Sequence, residues 1–154
     1  MFVKLLAGFL ALVLAASGCL CCSGGGADST TTSTTLFDCY ARADSLGDFC
    51  RMKHAMAEGD LSLCKAVKNA QYNKLCMAAA QKDEGLCVQY FKNQDDRMIC
   101  GAVVKDQPKM CEDVESEAPE ACYYAYAALW SKPAFCEKMT ADREGCRLIA
   151  NWKP

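Results

Sequence analysis

The sequence predicts an all-α protein built from short αα-hairpins that are held by disulfides and form either a small solenoid or a compact bundle. Three observations support this. Cysteines recur at nearly even spacing, apolar residues around them follow helical intervals, and turn-forming residues lie between them. The cysteines of this ladder are Cys39, Cys50, Cys64, Cys76, Cys87, Cys100, Cys111, Cys122, Cys136 and Cys146.

Large apolar residues are scarce in the part of the chain that carries the ladder. Residues 36–154 contain 19 Leu, Ile, Val and Phe in 119 positions, together with 18 Ala. Chains with less than about 20% of those four types drift toward disorder. Alanine favours helix but buries little area. We therefore expect the disulfides to compensate for a thin hydrophobic core.

The first segment, residues 1–18, has the layout of a secretory signal peptide. One lysine, Lys4, precedes an apolar run, and small residues follow. The stretch Ala16-Ser17-Gly18-Cys19 comes next. It resembles the lipobox of prokaryotic lipoproteins, in which small residues precede a cysteine that is diacylated and becomes the mature N-terminus. Ala16 departs from the Leu that is usual at the first lipobox position. The resemblance implies lipidation of Cys19.

Two other fates of this segment stay open. An ordinary signal peptidase would release a secreted protein, and the apolar run 5–22 is just long enough to span a membrane uncleaved. All three fates put the remaining chain outside the cytoplasm. We expect a protein lipid-anchored at the cell membrane on its extracytoplasmic side, or secreted. Two acyl chains would hold it stably, whereas one would not.

The domain organisation follows from composition. Residues 19–35 begin with the lipidated cysteine and continue as a Gly/Ser/Thr-rich tether with little to bury. Residues 36–154 form the Cys-rich helical repeat domain.

The ladder divides into two alternating classes of cysteine. Most members of the first class follow an apolar residue and have another apolar residue three positions later, as in Leu63-Cys64-Val67. Members of the second class open longer Ala-rich runs. First-class cysteines recur every 23 to 25 residues. This predicts five copies of a unit of about 24 residues, each a short helix followed by a longer one, with a degenerate first copy acting as a cap.

Turn chemistry separates the predicted helices. Pro108, Pro119 and Pro133 can each occupy the first position of a helix, where the missing N–H is not needed. Asp60 and Ser131 are predicted to cap helix N-termini.

The cysteines are best explained as disulfides, because the compartment is oxidising and their number is even. In an antiparallel hairpin, residues equidistant from the turn face each other. The predicted pairs are Cys39–Cys50, Cys64–Cys76, Cys87–Cys100, Cys111–Cys122 and Cys136–Cys146. Each closed loop would stabilise the fold by roughly 2–3 kcal/mol.

A thiol-based metal-binding or redox protein of the cell envelope is the alternative. Thiolate ligands must converge on a metal, and zinc sites usually contain pairs two to four residues apart. Cysteines of the ladder are at least ten positions apart. We therefore expect no metal and no cofactor.

Other chemistry is sparse. The formal net charge of −2 does not favour nucleic acid. The single histidine, His54, stands between basic neighbours on a predicted exposed helix and lacks a second histidine to act with. No phosphate-binding loop, dinucleotide fingerprint or nucleophile elbow is present. We expect no catalytic residues and no enzyme activity.

One aromatic stretch is a candidate ligand face: Tyr123, Tyr124, Tyr126 and Trp130. Positions 123, 126 and 130 share a helical face. Large rings can fill the core, or they can lie exposed and bind a protein or glycan partner. The sequence as a whole thus predicts a lipid-anchored, non-catalytic interaction protein whose specific partner is not encoded in any motif.

Overall fold

The computed structural model describes residues 41–115 and 119–154, and within them it contains α-helices, 3-10 helices and no β-strand. The prediction of an all-α fold is confirmed. The α-helices are α1 (Ser45–Glu58), α2 (Leu61–Lys65), α3 (Ala70–Gln81), α4 (Glu84–Tyr90), α5 (Gln94–Val104), α6 (Pro119–Leu129) and α7 (Arg143–Asn151). The 3-10 helices are η1 (Pro108–Asp113) and η2 (Pro133–Lys138).

After α1, each short helix is followed by a longer one. The resulting hairpins are α2–α3, α4–α5, η1–α6 and η2–α7. The long helices also pack on one another, with α1 contacting α3, α6 and α7. The predicted fivefold repeat and its solenoid form stay predictions, because the first predicted copy begins at residues outside the described ones.

Each described hairpin carries one disulfide between its short and its long arm. Four of the predicted pairs are present, with Cα–Cα distances between 5.4 and 5.8 Å, in the normal range for disulfides. They are Cys64–Cys76, Cys87–Cys100, Cys111–Cys122 and Cys136–Cys146. Cys50 is also disulfide-bonded. Its predicted partner, Cys39, lies outside the described residues.

The disulfides belong to the core of the protein and do not lie on its surface. Every described cysteine is at most 1% exposed. The buried apolar residues form two clusters, and cystine sulfur takes part in both. In the smaller cluster, Cys111, Cys122, Cys136 and Cys146 pack with Ala102, Val114, Tyr123, Ala127, Met139 and Ala150. Cystine therefore fills core volume that a chain rich in alanine would otherwise leave empty.

The helix starts follow the predicted turn chemistry at most of the predicted positions. The Asp60 side chain accepts a hydrogen bond from the Ser62 amide and caps α2. Pro108 and Pro133 begin η1 and η2, and Pro119 begins α6. The prediction for Ser131 is wrong: Lys132 holds the N-cap position of η2, and no side chain caps it.

Positive φ angles end the long helices α1, α3, α5 and α6. The residues involved are Gly59, Lys82, Asp106 and Ser131, with φ between 53° and 69°. This left-handed conformation reverses the chain, so an amide beyond the end of the helix can donate to a carbonyl of its last turn. The Asp83 amide, for example, donates to the Ala78 carbonyl at 3.1 Å. Ser131 has this role and not the predicted cap.

Two carboxylates fasten long helices to the turn of a following hairpin. Asp48 of α1, which is 3% exposed, accepts hydrogen bonds from the Lys68 and Asn69 amides, both at 3.0 Å. Glu120 of α6 accepts from the Thr140 amide at 3.1 Å and from the Ala141 amide at 3.4 Å. Each carboxylate precedes its long-helix cysteine by two positions, and the two turns correspond. The same contact therefore occurs twice, and Asp95 of α5 makes a related contact by accepting a hydrogen bond from the Glu115 amide at 3.3 Å.

Lys53 is a buried cation that joins α1 to the end of α7. Its side chain is 4% exposed, and its Nζ donates to the carbonyl oxygens of Ile149 at 2.8 Å, Ala150 at 3.0 Å and Trp152. The end of a helix favours a cation. Burial lowers the pKa of Lys53 to about 8. The sequence pattern alone indicates an exposed basic stretch at this position.

Within residues 41–115 and 119–154, none of the helices combines the length and apolar character needed to cross a bilayer.

Candidate functional site

A groove of about 450 Å³ opens where the first turns of the long helices come together. We call it the aromatic groove. Residues at the start of α1, α3, α5 and α6 and in the turn before α7 border it: Ser45, Gln71, Asp96, Glu120, Ala121 and Asp142. Such a volume is within the range of small-molecule sites.

Four aromatic side chains line the aromatic groove: Phe49, Tyr72, Phe91 and Tyr124. Phe49 is 3% exposed and lies between the two tyrosines, with ring centroids 4.9 Å from Tyr72 and 4.9 Å from Tyr124. The interplanar angles of 52° and 57° are those of tilted aromatic pairs. Packing against Phe49 holds both half-buried tyrosine rings in place.

The two phenol groups of the groove stay protonated at ordinary pH. Burial raises the pKa of Tyr72, and the charge of Asp48 adds to this effect. Burial also raises the pKa of Tyr124, with the charge of Asp142 as the next cause. Neither hydroxyl forms a hydrogen bond with another described residue. Both are therefore available to a ligand.

Three carboxylates contribute to the wall of the groove: Asp96, Glu120 and Asp142. Hydrogen bonds from the Thr140 hydroxyl and amide lower the pKa of Glu120 and keep it ionised. Asp96 and Asp142 make no side-chain hydrogen bond or ion pair with the described residues. Among those residues, no lysine, arginine or histidine lines the groove. Its charged side chains are all acidic.

The predicted aromatic face is divided between different environments. Tyr124 lines the aromatic groove. Tyr123 is 7% exposed and stacks on Phe135, with the Lys138 Nζ 4.9 Å from its ring centroid. Tyr126 is 3% exposed, and its hydroxyl donates to Asp106 at 2.6 Å. Burial raises the pKa of Tyr126 further above its ordinary value. Tyr123 and Tyr126 are thus core residues.

Trp130, the fourth predicted residue, lies away from the aromatic groove. Its indole Nε1 donates to the Val103 carbonyl at 2.8 Å. The ring borders a smaller groove of about 260 Å³, which Lys53 and Lys82 also line. The structure therefore brings only Tyr124 of the four predicted residues to the larger groove.

The described residues bring together no cluster of three or more His, Cys, Asp and Glu side chains suited to a metal ion. Each described cysteine is disulfide-bonded. His54 lies on α1 but does not line the aromatic groove. The groove offers aromatic faces, hydroxyls and carboxylates, which is a set of groups suited to binding a ligand.

Sequence reasoning missed Phe49, Tyr72, Phe91, Asp96 and Asp142 as site residues. They come from separate helices and turns, and no local motif joins them. One weak signal was present, since acidic residues recur in first turns of the long helices. Such residues are common there because they suit the helix dipole.

Comparison of the chain with protein-family models, curated proteins and solved structures found no match. The proposed function therefore depends on the geometry of the groove and on the sequence.

Proposed function

We propose that this protein is a non-catalytic ligand-binding protein, held at the outer face of a cell membrane by a lipid on Cys19. The observation that carries the binding role is the aromatic groove, in which rings from α1 and from three hairpins converge on one space. Buried disulfides suit an oxidising, extracytoplasmic environment. The predicted protein or glycan partner stays a prediction.

The lipid anchor rests on the small residues before Cys19 and on the tether that follows. Intact mass spectrometry of native protein from a membrane fraction tests it. We expect a chain that begins at Cys19 and carries a diacylglyceryl group. The variant Cys19→Ser should lose both the diacylglyceryl mass and the new N-terminus at residue 19, whereas the matched control Cys21→Ser should keep both. An unmodified chain in the medium would contradict anchoring and favour the secreted form.

The binding role of the groove can be tested with small probes of similar size and different charge: benzyltrimethylammonium, benzyl alcohol and phenylacetate. Two-dimensional amide spectra of the labelled protein would report which residues respond. We expect at least one probe, at millimolar concentration, to shift the amides of Ala121 and Tyr124.

A blocking variant gives the matched control for that titration. Ala121 is exposed on α6 and borders the groove, so Ala121→Trp should fill the groove without disturbing the core. Ala66→Trp places the same ring on an exposed position at the end of α2, where it borders neither groove. We expect only Ala121→Trp to abolish the shifts. If no probe shifts the groove amides of the wild type, the proposed binding role is wrong.

A further inference from the structure

We propose that the aromatic groove selects a small organic cation, namely an ammonium group carried on an apolar body. This inference rests on the proposed binding role and specifies the ligand. The body would lie against Phe49, Tyr72 and Phe91, and the ammonium group would lie near Asp96 and Asp142.

The carboxylates supply the charge complementarity. Asp96 is half-buried in the first turn of α5, and Asp142 is exposed in the turn before α7. Both side chains line the groove and neither forms an ion pair with a described lysine or arginine. The neighbouring Arg97 and Arg143 are engaged elsewhere, because their Nε atoms donate to the carbonyl oxygens of Phe91 and Met139. A carboxylate accepts hydrogen bonds and attracts positive charge, so a ligand that brings an ammonium group supplies what these side chains lack.

The helix N-termini around the groove favour anions, and this effect has to be compared with that of the carboxylates. Each helix end carries about half a positive charge, whereas each carboxylate carries a full negative one. Side chains already occupy many of the free amides: Asp44 caps α1, Asn69 caps α3 and Asn93 caps α5. An anion would find few free donors there. The unpaired acceptors of the groove therefore decide its preference.

The rings favour the same ligand. The faces of tyrosine and phenylalanine are negative, and they attract a cation that lies within about 6 Å of the ring centroid. Tyr72 and Tyr124 flank Phe49 at centroid distances of 4.9 Å, so three rings are close together and the two half-buried tyrosines border the groove. A quaternary ammonium group, which is weakly hydrated and has no N–H, can use such faces directly.

Titration with the three probes tests the preference. We expect benzyltrimethylammonium to bind at least about tenfold more tightly than benzyl alcohol or phenylacetate, and its affinity to fall as salt rises from low to physiological concentration. Equal or tighter binding of benzyl alcohol or phenylacetate would overturn the cation preference and leave the binding role intact. Binding of no probe would overturn both.

Charge-removing variants locate the cation. Asp96→Asn and Asp142→Asn keep the shape of each side chain, and asparagine tolerates the positive φ of 50° at position 142. The double variant should weaken benzyltrimethylammonium binding by roughly three- to tenfold, an effect of partly exposed charges, and leave benzyl alcohol unchanged. The control Asp113→Asn removes an exposed charge outside the groove and should change neither affinity. An unchanged affinity in the double variant would contradict the proposed cation position.

Discussion

The hairpins of the two halves of this domain begin their short arms by different chemistry. In α2–α3 and α4–α5, an aspartate starts the arm, and the arm is an α-helix: Asp83 accepts a hydrogen bond from the Gly85 amide at 2.8 Å. In η1–α6 and η2–α7, a proline starts the arm, no side chain caps it, and the arm is a 3-10 helix.

What the halves share shows which features the hairpin requires. In both, a residue of positive φ precedes the short arm, and a buried disulfide joins the two arms. The helix type of the short arm therefore varies, whereas the chain reversal and the covalent link do not. A proline fixes φ before the arm forms, and an aspartate satisfies a free amide after it forms. Two different local devices thus support one hairpin.

Removal of a disulfide from each half should have the largest effect. We expect Cys64→Ala with Cys76→Ala to lower the free energy of unfolding by about 3 kcal/mol. We expect a greater loss for Cys136→Ala with Cys146→Ala, because η2 has no cap to keep it helical once the link is gone. Urea unfolding measures both, and amide hydrogen exchange in the two short arms shows where structure is lost. A smaller loss in the second pair would contradict the view that the uncapped arm depends more on its disulfide.

The two carboxylate contacts should differ in strength because they differ in burial. Asp48→Ala leaves the Lys68 and Asn69 amides without their acceptor in a buried place, and we expect a loss of about 2–3 kcal/mol in urea unfolding. Glu120→Ala should cost clearly less, since water can reach the Thr140 amide. Equal losses would mean that burial does not affect how much each contact adds to the free energy of unfolding.

Lys53 connects α1 to the end of α7, so Lys53→Met tests the contact between these two helices. We expect a loss of about 2 kcal/mol at neutral pH, because carbonyl oxygens at the end of α7 lose a donor. The exposed control Lys65→Met should be close to neutral.

The pH dependence of this difference has a definite sign. The pKa of Lys53 is about 8 in the folded protein and 10.5 in its ordinary state. Between these values the unfolded chain binds more protons, so the free energy of unfolding rises with pH. The methionine variant lacks this slope. The difference in free energy of unfolding between wild type and variant, measured with urea, should therefore increase from pH 8 to pH 10. A decrease would contradict the lowered pKa.

The two ways of starting a short arm, an aspartate cap and a proline, can be compared directly through Asp83→Ala and Pro133→Ala. The first removes a hydrogen bond to a helix amide and should cost about 1 kcal/mol. The second gives the unfolded chain more freedom and should cost less than about 1 kcal/mol. Thermal unfolding monitored by circular dichroism ranks them. The reverse order would show that proline stabilises its arm more than the cap does.

Glycine at the positive φ positions should give the smallest change, and it should be stabilising in both halves. Lys82→Gly and Ser131→Gly relieve the strain of φ near +55°, and flexibility of the unfolded chain offsets part of the gain. We expect about 0.5 kcal/mol in each case, seen as a higher midpoint in urea. Ser62→Gly, at the second position of α2, is the control and should lower the midpoint.

The all-α class, four disulfide pairs and most helix starts could be read from the sequence because they depend on short-range chemistry. Cys64 and Cys76 are 12 positions apart, and a hairpin leaves them few other partners. A proline at position 108 or 133 favours a helix start wherever it stands. Ser131 shows the limit of such reading, since a serine suits both a cap and a turn, and the preceding helix determined its role.

The burial of Lys53 and the composition of the aromatic groove were decided by tertiary structure alone. Lys53 has basic neighbours in sequence, and only the approach of α7 supplies the carbonyl oxygens that hold it. Tyr124 stands beside Tyr123 in the chain, yet one lines the groove and the other is core. Sequence determines which contacts within one hairpin are favourable, because those residues meet in any arrangement of hairpins. The packing of separate hairpins decides which of their faces meet. The groove forms only where those faces meet.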